Sequence, residues 1–332
     1  MNSNSYLAIK NQSFIIDKYM ITPIRLKDRF KIMRWRNEQL YHLRQKKKIT
    51  KKDQELYFKD VVNPLFKTKK PNQILFSFLE NQKCIGYGGL VHIDWGLKKA
   101  EISFVMKTSL EEKSFSLYWT AFLKLIEIVA FKEMEFKSVF TFSFNMRPNL
   151  YLVLKKEGYF LTEVQKEAYF FQDKSYDVLI HNKTKSFYET NLKEASFEDS
   201  KLLYNWRNDN KVIKNSISNK SVSFDEHEKW FKKIFFSNKT LIFIAYLKKQ
   251  PIGQIRLTHD DKFWKIDYSI DKSHRGNSYG VILIKKILQM GKFHLKAEVK
   301  LKNKASLTIF RKLNFAETFD ADNSLAVFTY EK

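Results

Sequence analysis

Cysteine is nearly absent: Cys84 is the only one in 332 residues. A single thiol excludes a disulfide framework and a multi-cysteine metal site, and it fits a reducing compartment. Proline (5) and glycine (9) are sparse. That excludes collagen-like and linker-rich chains and makes each glycine's position informative. Acidic residues are outnumbered, 36 against 60 basic, which leaves a net charge of +24. Long apolar runs are missing as well. The most apolar helical stretch, 116–131, contains Lys124 and Glu127, whereas a membrane span needs roughly 20 uninterrupted apolar residues. Residues 1–10 are polar and lack the core of a secretion signal. The expectation is a cytoplasmic protein without a membrane span.

What is present is core material. Hydrophobic residues make up 44% of the chain and include 30 Phe, enough for two domains and too much for a disordered chain. The basic excess invites a nucleic-acid reading, but 50 of the 60 cations are Lys. Base-edge and bidentate phosphate recognition favour Arg, and the lysines spread over both halves. Nucleic-acid binding is therefore set aside. A positive field that draws phosphorylated small molecules remains. His227 and His274 have no metal-ligand spacing with another His or Cys, so no metal site is expected.

The chain repeats itself. Trp35-Arg36-Asn37-Glu38 returns as Trp206-Arg207-Asn208-Asp209, 171 residues later. Ile85-Gly86-Tyr87-Gly88-Gly89-Leu90 returns as Ile252-Gly253-Gln254-Ile255-Arg256-Leu257, 167 later, and Gly158-Tyr159 matches Asn314-Phe315, 156 later. A shrinking offset is what two diverged copies with small deletions produce. The boundary falls near 183–191, giving domains at 1–185 and 191–332. Each copy reads as mixed α/β: helix, helix, hairpin strands, loop–helix, strand, helix, strand. In the second copy Trp264, Ile266, Tyr268 and Ile270 alternate with polar residues, as a strand with one buried face does. Gly86-Tyr87-Gly88-Gly89 reads as a bulged or closely packed strand.

Two of the nine glycines fall in Arg275-Gly276-Asn277-Ser278-Tyr279-Gly280, between that strand and the apolar helix 281–290. Small residues there uncover backbone N–H groups at a helix start, and those donors with the helix dipole can hold a pyrophosphate. A tight strand–helix turn that needs glycine is the alternative. The run Arg275-x-x-Ser278-x-Gly280 resembles the Arg/Gln-x-x-Gly-x-Gly/Ala signature of the GNAT superfamily of N-acetyltransferases, with Ser278 in place of the middle glycine. Asn303-x-x-Ser306-x-x-Ile309-Phe310-x-x-x-Asn314-Phe315, 28 residues on, is similar to the family's second block.

The resemblance implies a mostly antiparallel twisted sheet flanked by helices in each copy, and acetyl-CoA as the donor. It implies donor contacts from Ile270, Arg275, Gly276, Asn277, Ser278, Tyr279, Gly280, Asn303, Ser306 and Phe310. An Asn303 helix cap is the alternative for that residue. A backbone N–H around Tyr268 to Ile270 would face the thioester oxygen. Glu298 matches the catalytic Glu of the ribosomal-protein type; the alternative is a strand carboxylate paired with Lys296 or Lys300. Asp267 is a second candidate base. Phe310 stands where the family has a proton-donating Tyr, so Tyr268, Tyr279 or water must serve, or the thiolate leaves unaided.

The segment around Asn215 and Asp225-Glu226-His227-x-x-Trp230 resembles the acceptor side of enzymes that acetylate nucleotide-linked 4-amino sugars, including the pseudaminic acid type. That makes Trp206, Arg207, Asn208, Asn215, His227 and Trp230 acceptor candidates, against a core role for the tryptophans and a solvated His227. In the first copy the equivalent loop, 106–116, has no glycine and carries Glu111 and Glu112. Arg147, Leu154 and Phe142 replace Asn303, Phe310 and Glu298. The first copy is therefore expected to be degenerate. The expected function is N-acetylation of a small-molecule amine, a nucleotide-linked amino sugar, from acetyl-CoA. A protein N-terminus or lysine as acceptor, and a non-catalytic acyl-CoA binder, are the alternatives.

Overall fold

β-Branched and aromatic runs pair into two separate sheets in the computed structural model, which describes residues 5–322 and 324–331. The chain divides into two units, Met1–Lys185 and Ser186–Lys332.

In the first unit the strands are β1 (Phe14–Ile16), β2 (Tyr19–Pro23), β3 (Ile74–Glu80), β4 (Lys83–Asp94), β5 (Lys99–Met106), β6 (Ser138–Phe144), β7 (Phe160–Phe171) and β8 (Lys174–Thr184). They form one sheet in the order β1-β2-β3-β4-β5-β6-β8-β7. Helices α1 (Arg29–Glu38), α2 (Lys51–Tyr57), α3 (Asn63–Phe66), α4 (Thr108–Glu127) and α5 (Pro148–Lys156) complete it. The glycine-rich β4 is closely packed, as its sequence predicts. A Cβ on Gly88 would meet Ser103 O at 2.2 Å, and one on Gly89 would meet Ile74 O at 2.0 Å. The helical stretch Thr108–Glu133 runs 26 residues and is apolar and long enough to cross a membrane by composition alone. It lies inside the unit instead, 61% buried over its most apolar part. Its Glu127 is buried too, with Lys183 Nζ and Tyr159 Oη donating to it at 2.8 Å.

The second unit holds α6 (Lys185–Glu189), β9 (Thr190–Glu194), α7 (Ser200–Arg207), α8 (Asn210–Asn215), α9 (Phe224–Phe235), β10 (Thr240–Leu247), β11 (Gln250–Asp260), β12 (Phe263–Ile270), α10 (Tyr279–Met290), β13 (Leu295–Lys300), α11 (Lys304–Lys312), β14 (Ala316–Asp320) and β15 (Leu325–Tyr330). The sheet order is β14-β15-β13-β12-β11-β10-β9. Among the described residues of this unit only β12 and β13 pair in parallel, because a helical crossover through α10 joins them. One core lies between the sheet and α10 with α11, around Ile255, Leu257, Leu283, Ile284, Phe310 and Phe328. A smaller one, on Leu203, Trp206, Phe231 and Ile244, seats α7 and α9.

The duplication survives in hydrogen bonds as well as in sequence. Asn37 clamps Ile49, donating to its O and accepting from its N, both at 2.8 Å. Asn208 clamps Val222 in the same way, both at 2.9 Å. Directly after each clamp a helix begins with a capping box, Thr50 with Asp53 and Ser223 with Glu226. Four elements of the second unit are not read from the sequence: α6, α8, β9 and β14. All are five or six residues long and mostly polar.

Candidate active site

Strand divergence makes the site. β12 pairs with β11 along its whole length, but with β13 only at Trp264↔Leu295 and Lys265↔Lys296. Beyond those two pairs the facing edges of 266–270 and 297–300 have no ladder partner among the described residues. A cleft of about 690 Å³ occupies the wedge. Ile266, Tyr268 and Ile270 line it together with Asp267, Ser269 and Glu298. Alternate strand residues point to opposite faces, so the cleft passes through the sheet, open to α10 and α11 on one side and to α8 on the other.

At one end stands the glycine-containing loop. Gly276 (φ 84°) and Ser278 (φ 63°) are both left-handed, a conformation that glycine adopts freely and serine only at a cost. Ser278 is the N-cap of α10 but makes no side-chain cap. The first N–H groups of the helix therefore get no cap from Ser278, and a helix start of that kind favours an anion. Arg275 does something other than the resemblance implies. Its Nε donates to Ile270 O at 2.9 Å and its Nη2 pairs with Asp209 at 2.7 Å. The guanidinium thus braces the loop against α8, whose N-cap is Asp209. Burial works against the Asp209 carboxylate, yet Arg275 and the helix N–H groups hold its pKa below the usual value. Asp271 braces the loop from the other side, accepting from Ser273 N and from Trp206 Nε1 at 2.9 Å. Against the cost of partial burial, these donors bring its pKa down to about 2. Gly280 is bare for a packing reason. A Cβ there would meet Ile309 Cδ1 at 2.9 Å and Tyr268 Cε2 at 3.1 Å, so its role is close helix approach rather than clearance for a phosphate.

Asn303 caps α11, its Oδ1 accepting from Ser306 N at 3.3 Å, the alternative the sequence left open. Its Nδ2 donates to Ser306 Oγ, which lies 2.9 Å from Tyr268 Oη. Burial pushes the Tyr268 phenol up to about 12, against the Ser306 hydrogen bond. Phe310 is 1% exposed, stacked on Phe328 with an edge toward Tyr268. Asn277 sits on the loop, and Tyr279 is the first residue of α10.

The carboxylates are less free than the sequence reading supposed. Glu298 reaches the cleft but pairs with Lys265 and, at 3.4 Å, Lys296. Partial burial opposes its charge, but the two lysines prevail and lower its pKa, which makes it a weaker base. Asp267 lies 3.5 Å from Arg256. Among the acceptor candidates, Asn215 lines the cleft. The others do not. Trp206 is buried in the small core and fixes Asp271. Asn208 clamps Val222, and Arg207 donates to Ser218 Oγ and Lys220 O. His227 is 3% exposed, in reach of Ser200 O at 3.0 Å, and burial lowers its pKa; it is a core residue rather than a solvated one. Trp230 lies under Arg256, 5.2 Å from ring to guanidinium. Asp209, Asp271 and Lys265 are not among the residues singled out from the sequence, and Lys300 is named there only as a possible partner of Glu298. Period-two alternation along 265–269 and 296–300 was the signal for the two lysines.

The first unit has the same wedge between its parallel strands. β5 and β6 pair in parallel only from Lys99↔Ser138 to Glu101↔Phe140. A cleft of about 420 Å³ beside α4 is lined by Glu38, Thr108, Glu111, Glu112 and Arg147, among others. Arg147 and Glu111 form an ion pair whose side chains are 10% and 11% exposed. Arg147 also lies over Phe115 and Trp119. Burial and Arg147 drive His42, 3.2 Å away, down to about 2. Among the described residues of either unit, no three His, Cys, Asp or Glu side chains gather as a metal site.

Family models described as "Acetyltransferase (GNAT) domain" match residues 21–180 and, with a second model, residues 190–316. No curated protein matches the chain. Among solved structures, a chimera of the spermidine N-acetyltransferase from Vibrio cholerae and hSSAT is similar at 15% identity and a TM-score of 0.45, over 52% of this chain and 98% of its own. The Vibrio cholerae spermidine N-acetyltransferase in complex with CoA and spermine gives 18% and 0.38, over 43% and 94%. A domain from Methanocaldococcus jannaschii gives 18% and 0.38, over 42% and 97%.

Proposed function

We propose that this chain, which belongs to the GNAT acetyltransferases through two tandem domains, does its chemistry in the second domain, 191–332, and acetylates the amino group of a nucleotide-linked amino sugar. Acetyl-CoA is the donor this family uses, and it supplies a thioester carbonyl for the amine to attack. The observation that carries the reading is the cleft through the sheet, with open amides of α10 at its end. Those amides and the left-handed turns at 276 and 278 hold phosphate. The unpaired edges of β12 and β13 take an extended arm as an added strand, and a β12 N–H near Ile270 faces the carbonyl oxygen. Tyr268 Oη, neutral at working pH and joined to Ser306, gives its proton to the departing sulfur in the role that Phe310 cannot fill. The carboxylates Glu298 and Asp267 face the other mouth of the cleft, beside Asn215, and orient the acceptor; Glu298, held ionised between lysines, is not assigned the base role.

The first domain, 1–185, is read as a copy that no longer binds the donor, since Glu111 and its partner Arg147 occupy the helix start. The reading expects a cytoplasmic setting, where thiols stay reduced. Phe310 and the altered first copy favour the second reading, a non-catalytic acyl-CoA binder. Calorimetric titration of the full chain with CoA, followed by thiol release with a UDP-linked 4-amino sugar and with a peptide N-terminus, tests the proposal. One CoA per chain and release with the sugar are expected. Tight CoA binding without release for any amine supports the binder, and no CoA binding overturns both.

A further inference from the structure

The outer face of the second sheet carries a block of charge that donor binding does not use. Register sets it in rows: Lys265 beside Lys296, and Arg256 beside Asp267. Glu298 and Lys300 continue the same face of β13 at two-residue steps. Glu298 alone answers both Lys265 and Lys296. Lys300 Nζ donates only to neutral oxygens, Ser216 O and Asn219 Oδ1, and burial lowers its pKa. Arg256 stands 3.5 Å from the half-exposed Asp267, and its Nε is buried with no hydrogen-bond partner among the described residues. Four cations thus face two carboxylates. The block opens into the cleft, because Asp267, Ser269 and Glu298 line it opposite Lys211, Asn215 and Ser216.

We propose that this block selects an acceptor amine that itself carries negative charge, phosphoryl or carboxylate, and rejects polycationic amines. The inference rests on the acetyltransferase reading for the word acceptor, but the charge preference stands on the rows alone. An ammonium near Glu298 must compete with two resident lysines, and each further positive charge on the same molecule meets the unpaired surplus. An anion elsewhere on the molecule meets Lys300 and Arg256 instead.

The test is calorimetric titration of the full chain, with and without CoA, using a UDP-linked 4-amino sugar, the same sugar without its nucleotide, glutamate and spermidine. The UDP-linked sugar is expected to bind at least tenfold more tightly than the nucleotide-free sugar, and spermidine more weakly than both. Lys300→Ala and Lys265→Ala should each weaken the anionic amine about tenfold and leave CoA affinity unchanged. Raising salt from about 50 to 300 mM should weaken it several-fold in the unaltered chain, a readout that survives a variant's misfolding. Glutamate binding in place of the UDP-linked sugar would name the carboxylate as the anion. Spermidine binding as tightly as the anionic amines, or no effect of either lysine, overturns the inference. Loss of CoA binding overturns the acetyltransferase reading instead, and the titrations without CoA still read the charge preference.

Discussion

Replacing Tyr268 with Phe removes one oxygen atom from the wall of the cleft, and the structure separates its two consequences. The first is stability. The Oη–Ser306 contact of 2.9 Å disappears, but Ser306 Oγ keeps the hydrogen bond from Asn303 Nδ2, so no buried group is orphaned. The net loss of one such bond is about 0.5–1.5 kcal/mol, roughly 2–4 °C in Tm per kcal/mol for a domain of this size. The second is rate. A proton donor in the transition state contributes about 10²- to 10⁴-fold, and a thiolate is already a fair leaving group, so the drop in kcat should sit near the bottom of that range. The phenol's pKa of about 12 keeps it protonated from pH 7 to 10, so Tyr268 should put no alkaline limb on kcat there. Because the folded value is raised, its contribution to stability is complete below the unfolded pKa near 10 and is lost as pH rises toward 12. Single-turnover thiol release measures kcat, and CoA titration measures binding. Ser306→Ala is the control: it breaks the same hydrogen bond but leaves the phenol. A kcat for Tyr268→Phe within twofold of the unaltered chain, or an equal loss in Ser306→Ala, refutes the proton-donor role.

Three further outcomes are expected. Ser278→Gly relieves a left-handed serine (φ 63°) and should stabilise the second domain by about 0.5–1 kcal/mol, net of the extra freedom that glycine gives the unfolded chain; a scanning calorimeter reads the Tm, and a lower one sinks the strain argument. Trp206→Phe removes the indole donor to the ionised Asp271 and should cost about 1.5–3 kcal/mol with weaker CoA binding. Since the folded pKa of Asp271 is lowered to about 2, the stability it supplies is present above pH 4 and fades as pH falls through 2. A variant whose acid profile matches the parent would contradict this. Glu111→Gln strips the buried Arg147 of its anion and should destabilise the first domain by about 3–5 kcal/mol while CoA stoichiometry stays unchanged.

The repeat and the glycine-containing loop were legible in sequence for physical reasons. Trp-Arg-Asn recurs because the tryptophan fills a core and the asparagine clamps a backbone 12 or 14 residues on, and few residue types can do either. The loop stood out because glycine is rare in this chain and its left-handed positions restrict substitution. Side-chain partners across elements were less accessible. For Glu298, a candidate base, the alternative was a pair with Lys296 or Lys300, and Lys296 does pair. Its other partner, Lys265, lies on a strand joined through a helical crossover, a register that no local pattern encodes. His227 and Trp230 share a helix with strong amphipathic spacing, but spacing alone does not say which side meets a cleft and which meets Phe231 and Arg256. α6, α8, β9 and β14 were missed because five or six mostly polar residues give too little periodicity to register.

The two copies show which contacts a fold must keep and which belong to the ligand. The asparagine clamp and the capping box close within about 15 residues and satisfy backbone groups whether or not anything binds, so both copies retain them. The helix start beside the wedge is different. Its open N–H groups and its dipole favour an anion, and that preference can be met from outside or from within. In the second domain Ser278 makes no side-chain cap on α10, and Arg275 is turned away to Asp209, which leaves the helix start suited to an anion brought by a ligand. In the first domain Glu111 rides in the first turn of α4 with Arg147 against it, and the same electrostatic demand is met by a side chain. A loop that supplies its own anion has less affinity for a phosphate, and that is the ground for proposing that the first copy does not bind the donor while it keeps the sheet, the wedge and the clamp beneath it.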